Sequence, residues 1–386
     1  MGRGGQGKPA ARIPDHSGSW SATHRPRAYG LPNGAPDAMT TLRRLSSFYR
    51  LYERVTAASH AIRRSKGRAG DKWRQRIASF RNGIRRIPGE NFVVFLASAK
   101  TGKVVELKAP TLSYYADPFI WQHRGRSYLF CEQFRFLRNK ARLRCISLDS
   151  DLRPVASCII ASGEGHASFP FLVEDAGTLY LIPETREEGG IHLYRCDGFP
   201  GRWTRLRTLV PAVDAVDTVA FRHDDCWWLI TSIVIRGRPD SRYLAVFFAD
   251  SLSTGEWQPH PINSQMLYSE LPYGSGRNAG AVIRSGGRLL RPSQHNARYY
   301  GEAVIWMEIT TLTKTDYSEC PLPSTDPLAQ IAAQLPMHHI TRFDSLIAWD
   351  VRARTWSAAL NAEAEASRAL SVAHGRKLAD ILSSLA

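Results

Sequence analysis

Four stretches of the chain repeat one pattern of apolar and polar positions: "ADPFIWQHRGRSYLFCEQ" from 116, "SFPFLVEDAGTLYLIPET" from 168, "VDTVAFRHDDCWWLITS" from 216 and "RNAGAVIRSGGRLLRPSQ" from 277. Each reads as a short apolar strand, a turn carrying Gly or Asp, and a second apolar strand that ends in polar residues. Anchored on Asp117, Phe169, Asp217 and Asn278, the units place Glu132, Glu184, Ser232 and Ser293 at one constant offset of 15 residues. Each unit continues into a further hairpin: "RCISLDSDLRPVAS", "HLYRCDGFPGRWTRL", "LAVFFADSLSTGEWQPH" and "VIWMEITTLTKTDYSE". The anchors are 52, 48 and 61 residues apart.

A unit of four antiparallel strands at that spacing predicts the blades of a β-propeller, which bury their apolar faces against one another. A sandwich would not require the repeat. A fifth blade is expected from "HHITRFDSLIAWDVRARTW" (338–356), completed by the N-terminal strands "NFVVFLAS" and "KVVELKAP", so that both ends of the chain close the ring. The expected fold is all-β: a five-bladed propeller over 88–356, with a basic, partly helical arm before it. The Ala- and Leu-rich segment 357–386 has the period of a helix packed outside the ring.

Charge changes the picture at one end only. The formal net charge is +16, but residues 1–87 hold 19 Lys/Arg against 4 Asp/Glu, while the remainder holds 32 against 31. The ring is thus near neutral, which argues against a nucleic-acid partner. Residues 1–38, rich in Gly, Pro, Ser and Arg, predict a disordered tail. The pattern turns helix-like at Met39, a candidate translation start. Over 39–87 Leu42, Leu45, Phe48, Tyr49 and Tyr52 fall on one side, with Arg43, Arg44, Arg50 and Arg54 interspersed. Such an arm would dock on the main domain, on a protein partner, or on an anionic membrane surface. No apolar run reaches the roughly 20 residues that cross a bilayer. The six cysteines are scattered without a C-x-x-C pair and read as free thiols in a reducing cytoplasm. The expected location is therefore cytoplasmic, with the arm able to hold the protein against the inner membrane. No zinc spacing, P-loop, Gly-x-Ser-x-Gly or H-E-x-x-H occurs, and "DSD" at 149–151 reads as a turn. No cofactor or metal is expected.

Candidate chemistry follows from the ring. Inner strands of a propeller converge, so Asp117, Asp217 and Asn278 would surround the channel mouth, with Glu132 and Glu184 on adjacent strands. Paired carboxylates across a cleft suit sugar chemistry, one as proton donor and the other as base or nucleophile. Asp117 and Asp217 would face one another over a sugar, with Glu184 as the acid. Arg277 and Arg291 would bring anion-binding charge and Gln294 an amide. Plainer roles stand beside these: an Asp117-Pro118 strand cap, Glu132 and Glu184 bonding amides of the next blade, and Arg277 and Arg291 as ion-pair partners.

"YYADPFIW…YLFCEQ", "HASFPFLVEDAGTLYLIPET", "DTVAF…WWLITS" and "RNAGAVI…LLRPSQ…YYGEAVIWMEI" together resemble the N-terminal domain of plant glucosamine inositolphosphorylceramide transferases, over roughly 90–355. The resemblance implies a five-bladed propeller similar to fructosidase and arabinanase glycosidases, and a role in glycan or glycolipid assembly. Those glycosidases carry acids on three blades; here Asp117 matches the first, Phe169 stands where a second is expected, and Asp217 fills a third. The reading is a glycosyltransferase or transferase-associated domain holding a sugar or sugar phosphate at the channel mouth. A glycoside hydrolase and a noncatalytic glycan-binding module are the alternatives.

Overall fold

The computed structural model describes residues 91–160, 165–352 and 358–385, and it is a five-bladed β-propeller. The readings made for the tail and arm, 1–87, lie outside the described residues. Blade 1 comprises β3 (Ser113–His123), β4 (Arg126–Arg135), β5 (Lys140–Leu148) and β6 (Pro154–Ile159), in that order from the channel outward. Blade 2 comprises β7 (Ser168–Asp175), β8 (Thr178–Glu184), β9 (Gly190–Gly198) and β10 (Arg202–Pro211). Blade 3 comprises β11 (Ala215–His223), β12 (Cys226–Ile235), β13 (Arg238–Ala249) and the short β14 (Gln258–Pro259). Blade 4 comprises β15 (Ile283–Ser285), β16 (Arg288–His295), β17 (Ala303–Leu312) and β18 (Tyr317–Pro321). Blade 5 joins the two ends of the chain: β19 (Met337–Phe343) and β20 (Leu346–Arg352) pair with β1 (Phe92–Ser98) and β2 (Val104–Leu107).

The strands exist because their apolar residues have neighbours on both sheet faces. Trp227 and Trp228 point to opposite faces of β12, yet both are buried, since a blade packs against another blade on each side. Around blade 5 the core is built differently. Phe95 stacks on Trp349 at 5.6 Å, and α1 (Pro327–Ala332) and α2 (Ala358–Ser384) cover them through Leu328, Ile331, Leu378 and Leu382. Asp326 caps α1 by accepting the Leu328 amide at 2.8 Å. α2 comes so close that a Cβ on Gly375 would lie 2.6 Å from the Trp349 indole. Among the described residues no helix is long and apolar enough to cross a membrane.

Two smaller expectations resolve here. "DSD" is a turn: Asp149 Oδ1 accepts the amides of Asp151 and Arg153, both at 2.8 Å. The six thiols are free: Cys131, Cys145 and Cys226 are buried, Cys158 and Cys196 half-buried, and Cys320 exposed.

Candidate functional site

Four of the five inner strands kink, three of them where the repeat was anchored. In blades 1, 2, 3 and 5 one extra residue interrupts the ladder between the first two strands, at Asp117, Phe169, Asp217 and His338. The first three hold left-handed φ values of 49°, 45° and 53°, a conformation that L residues keep only when their surroundings impose it. What imposes it is a set of hydrogen bonds from blade to blade. Asp350 Oδ2 accepts the Asp117 amide at 2.9 Å, and Asp117 Oδ2 accepts the Phe169 amide at 3.2 Å. Glu184 Oε2 then accepts the Asp217 amide at 3.2 Å. Asn278 Nδ2 donates to the carbonyls of Asp217 and Ile230 at 2.7 and 3.0 Å, and the Ile340 amide donates to Ala279 O at 2.7 Å. At this last seam a Cβ on Gly280, whose φ is 144°, would fall 1.9 Å from Ile340 O, so only glycine lets the strands meet. All five seams are thus crossed at one level of the ring. Asp117 and Glu184, candidate reactive groups, are also seam carboxylates, as is Asp350.

The fourth unit departs from the pattern. Asn278 itself bridges Ser293, whereas Ala116, Ser168 and Val216 are the partners of Glu132, Glu184 and Ser232. The equal offset in sequence therefore conceals a slip of one residue, and Asn278 binds a seam instead of occupying a kink.

Above the seams the side chains form one buried polar cluster. Arg277 Nε donates to Asp217 Oδ2, and its Nη2 lies 3.9 Å from Glu184 Oε2. Gln294 Nε2 donates to Asp217 Oδ2 at 3.2 Å and to Asn278 O at 3.0 Å. His338 Nδ1 lies 3.3 Å from Asp350 Oδ2 and 3.7 Å from Asp117 Oδ1, and its Nε2 is 2.7 Å from Tyr300 Oη. Five carboxyl groups share the space with the Arg277 guanidinium and the His338 imidazole, with Arg242 close by, in a medium that resists charge. Burial, then the Asp217 charge, pushes Glu184 up to about 8. Burial and the neighbouring Asp117 and Glu184 raise Glu132 well above the carboxylate range. Asp117 reaches about 6, raised first by burial and also by Asp350 and Asp217, and held down by His338 and Arg277. Burial alone would lower His338, but Asp350 and Asp117 outweigh it and the net shift is upward. Near neutral pH Glu184 accordingly favours its acid form, with Glu132 shifted in the same direction, beside Asp217 and the guanidinium of Arg277.

Of the residues singled out in the sequence, Asp117, Glu132, Glu184, Asp217, Arg277, Asn278 and Gln294 meet in this cluster or on its seams. Arg291 lies apart. It is fully buried and gives Nε and Nη2 to the two Glu319 oxygens at 2.7 and 2.6 Å, with Nη1 on Gly276 O and Asn278 Oδ1. The sequence reading missed His338, Asp350 and Tyr300. His338 was legible in principle, because "MHHIT" aligned on "SFPFL" puts it at the fifth kink. Asp350 had no such signal, since 12 residues separate it from His338 and its counterpart in blade 1 is Cys131. Among the described residues, Asp117, His338 and Asp350 are the set whose ligand-type atoms lie within 4.8 Å of one another.

The fold and this cluster define a five-bladed propeller with an acid-rich site where its inner strands kink. The chain belongs to the family described as glucosamine inositolphosphorylceramide transferase 1, N-terminal, which matches residues 90–334. It is 28% identical over 213 residues to glucosamine inositolphosphorylceramide transferase 1 of Arabidopsis thaliana, covering 55% of this chain and 27% of that protein. The protein of the same name from Oryza sativa subsp. japonica is 28% identical over 212 residues, covering 54% and 28%. The chain thus matches little more than a quarter of the length of these relatives. Among solved structures it is similar to an exo-β-1,3-galactanase from Clostridium thermocellum (TM-score 0.43, 14% identity, 55% of this chain and 50% of that one). It is also similar to an α-L-arabinanase from Cellvibrio cellulosa (TM-score 0.40, 15% identity, 60% and 92%). Neither likeness bears on function.

Proposed function

We propose that this propeller binds a sugar at the mouth of its channel and serves glycosyl transfer in glycan or glycolipid assembly, as a transferase or a transferase-associated domain. One observation carries the reading: Glu184, which burial pushes toward its protonated form, lies beside Asp217, and Arg277 reaches both. A sugar hydroxyl both donates and accepts, and this pair supplies an acceptor and a donor side by side. Asp117 and Glu132 extend the same surface, and Asn278 and Gln294 fix Asp217 from behind. The relatives are named as transferases, and the chain corresponds to a fraction of each. Hydrolysis is disfavoured by Phe169 at the blade 2 kink, where the glycosidase pattern expects an acid. It is further disfavoured because Asp117 and Glu184 each commit an oxygen to a seam amide.

The test is a thermal-shift screen of the full chain with glucose, glucosamine, their 1-phosphates and UDP-glucose, repeated on Asp217→Asn. A ligand at 100 times its Kd stabilises by about 2.7 kcal/mol. The expected result is a rise in melting temperature with at least one probe, abolished in the variant. A rise of equal size in both proteins would move the site elsewhere.

A further inference from the structure

Tyr300 is absent from every role described so far, yet its hydroxyl bonds a member of the cluster. It lies on the segment joining β16 to β17, and this segment is pinned. The Gly301 amide donates to Asn296 Oδ1 at 2.8 Å, and Arg352 Nη1 donates to Tyr300 O at 2.8 Å. The Tyr300 ring is only partly buried and lies under the Arg277 guanidinium, 5.3 Å from ring centroid to Cζ. Its hydroxyl reaches inward to His338 Nε2 at 2.7 Å. The imidazole is fixed in turn by Asp350 at 3.3 Å on Nδ1 and by Phe92 packed against its face at 4.6 Å. This is a hydroxyl oriented by an imidazole that is oriented by a carboxylate.

We propose that Tyr300 is a sugar-contacting residue whose hydroxyl, positioned by His338 and Asp350, hydrogen-bonds a hydroxyl of the bound sugar. The proposal rests on the sugar-binding reading above and adds its contact on the blade 4–5 side, where Arg277 lies between Tyr300 and Glu184 in reach of both. Bond counting carries it. Nδ1 faces carboxylates, so it keeps its proton. When His338 is neutral, Nε2 accepts the phenol proton and the phenol oxygen remains free to accept from a sugar hydroxyl. When His338 is charged, Nε2 donates to the phenol oxygen and the phenol proton is free to go to the sugar. In either state Tyr300 has one bond left for a ligand.

Tyr300→Phe keeps the ring under Arg277 and removes only the hydroxyl. Using the same five probes and titration calorimetry on the full chain, the variant should bind the stabilising probe roughly tenfold more weakly. Should Tyr300→Phe fold poorly, the native protein gives an independent reading through the ring-nitrogen NMR signals of His338, which should shift on saturation with the probe. Unchanged affinity in the variant, or His338 signals that ignore the probe, would overturn the Tyr300 contact while leaving sugar binding intact. If none of the five probes binds the native protein, the sugar-binding reading fails and this contact fails with it.

Discussion

Raising the pH from 5 to 9 should weaken the folded protein, and Glu184→Gln should remove a large part of that loss. Glu184 is lifted from an ordinary 4.5 to about 8 by burial and by Asp217. Between those two values the native state holds a proton that the unfolded chain has released, so each step upward in pH favours unfolding. The favourable contribution is complete below about 4.5 and is gone once the pH passes about 8. At 1.36 kcal/mol per unit the group accounts for about 5 kcal/mol across that window, and Glu132, raised in the same direction, adds to it. His338 is raised too and loses its contribution as the pH climbs through its folded value. His339 works the other way below pH 6.5, because its buried ring is held well under the usual histidine value. The decline therefore reads most cleanly above pH 6.5. Glutamine keeps an oxygen for the Asp217 amide and cannot ionise, so the variant should match the native protein near pH 5 and exceed it at pH 9. Urea titrations at several pH values would measure this. Equal slopes with pH in both proteins would mean that Glu184 is ionised throughout, and the donor–acceptor pair would be lost with it.

Arg291→Ala should cost about 3–5 kcal/mol, the range for removing one partner of a buried ion pair. Its guanidinium is completely enclosed, and Glu319 receives two of its donated bonds together with the hydroxyls of Tyr268 at 2.5 Å and Tyr317 at 2.9 Å. Without the arginine, two phenols remain to hold a carboxylate in an apolar blade. The damage should spread, because Arg291 also holds Asn278 Oδ1 while Asn278 Nδ2 crosses the seam to blade 3. Combining Arg291→Met with Glu319→Gln removes both charges and should recover most of the loss. The check is the urea midpoint of the single and double variants. A single variant within about 1 kcal/mol of the native protein would show that the pair is dispensable.

How much of this was legible follows from what each level of structure depends on. The blades were readable because alternation of apolar residues fixes a strand and a fixed repeat fixes the ring, down to the closure of blade 5 by β1 and β2. The convergence of Asp117, Glu184 and Asp217 was readable for the same reason, since position within a blade determines position around the channel. The division of labour between Arg277 and Arg291 was not. Both precede or enter blade 4 strands, and only packing sends one to Asp217 and the other to Glu319. The slip at Asn278 was hidden because Asn278 stands where Ala116 does, one residue ahead of the kink position, in a hairpin one residue shorter, which leaves the offset unchanged. Asp350 and Tyr300 were out of reach because each lies on a unit that breaks the repeat, one in the shortened hairpin of blade 5 and one in the segment between β16 and β17.

The most direct measurement of the central claim is a crystal structure of the full chain soaked with whichever of the five probes stabilises it. The account predicts a sugar ring at the mouth, within hydrogen-bond distance of Asp217, Glu184 and Tyr300, with Arg277 at its edge. A probe seated instead in an outer cleft, such as the hydroxyl-lined one of about 550 Å³ bordered by Ser264, Thr311 and Thr315, would contradict it. The buried carboxyl cluster would then be a device for closing the ring.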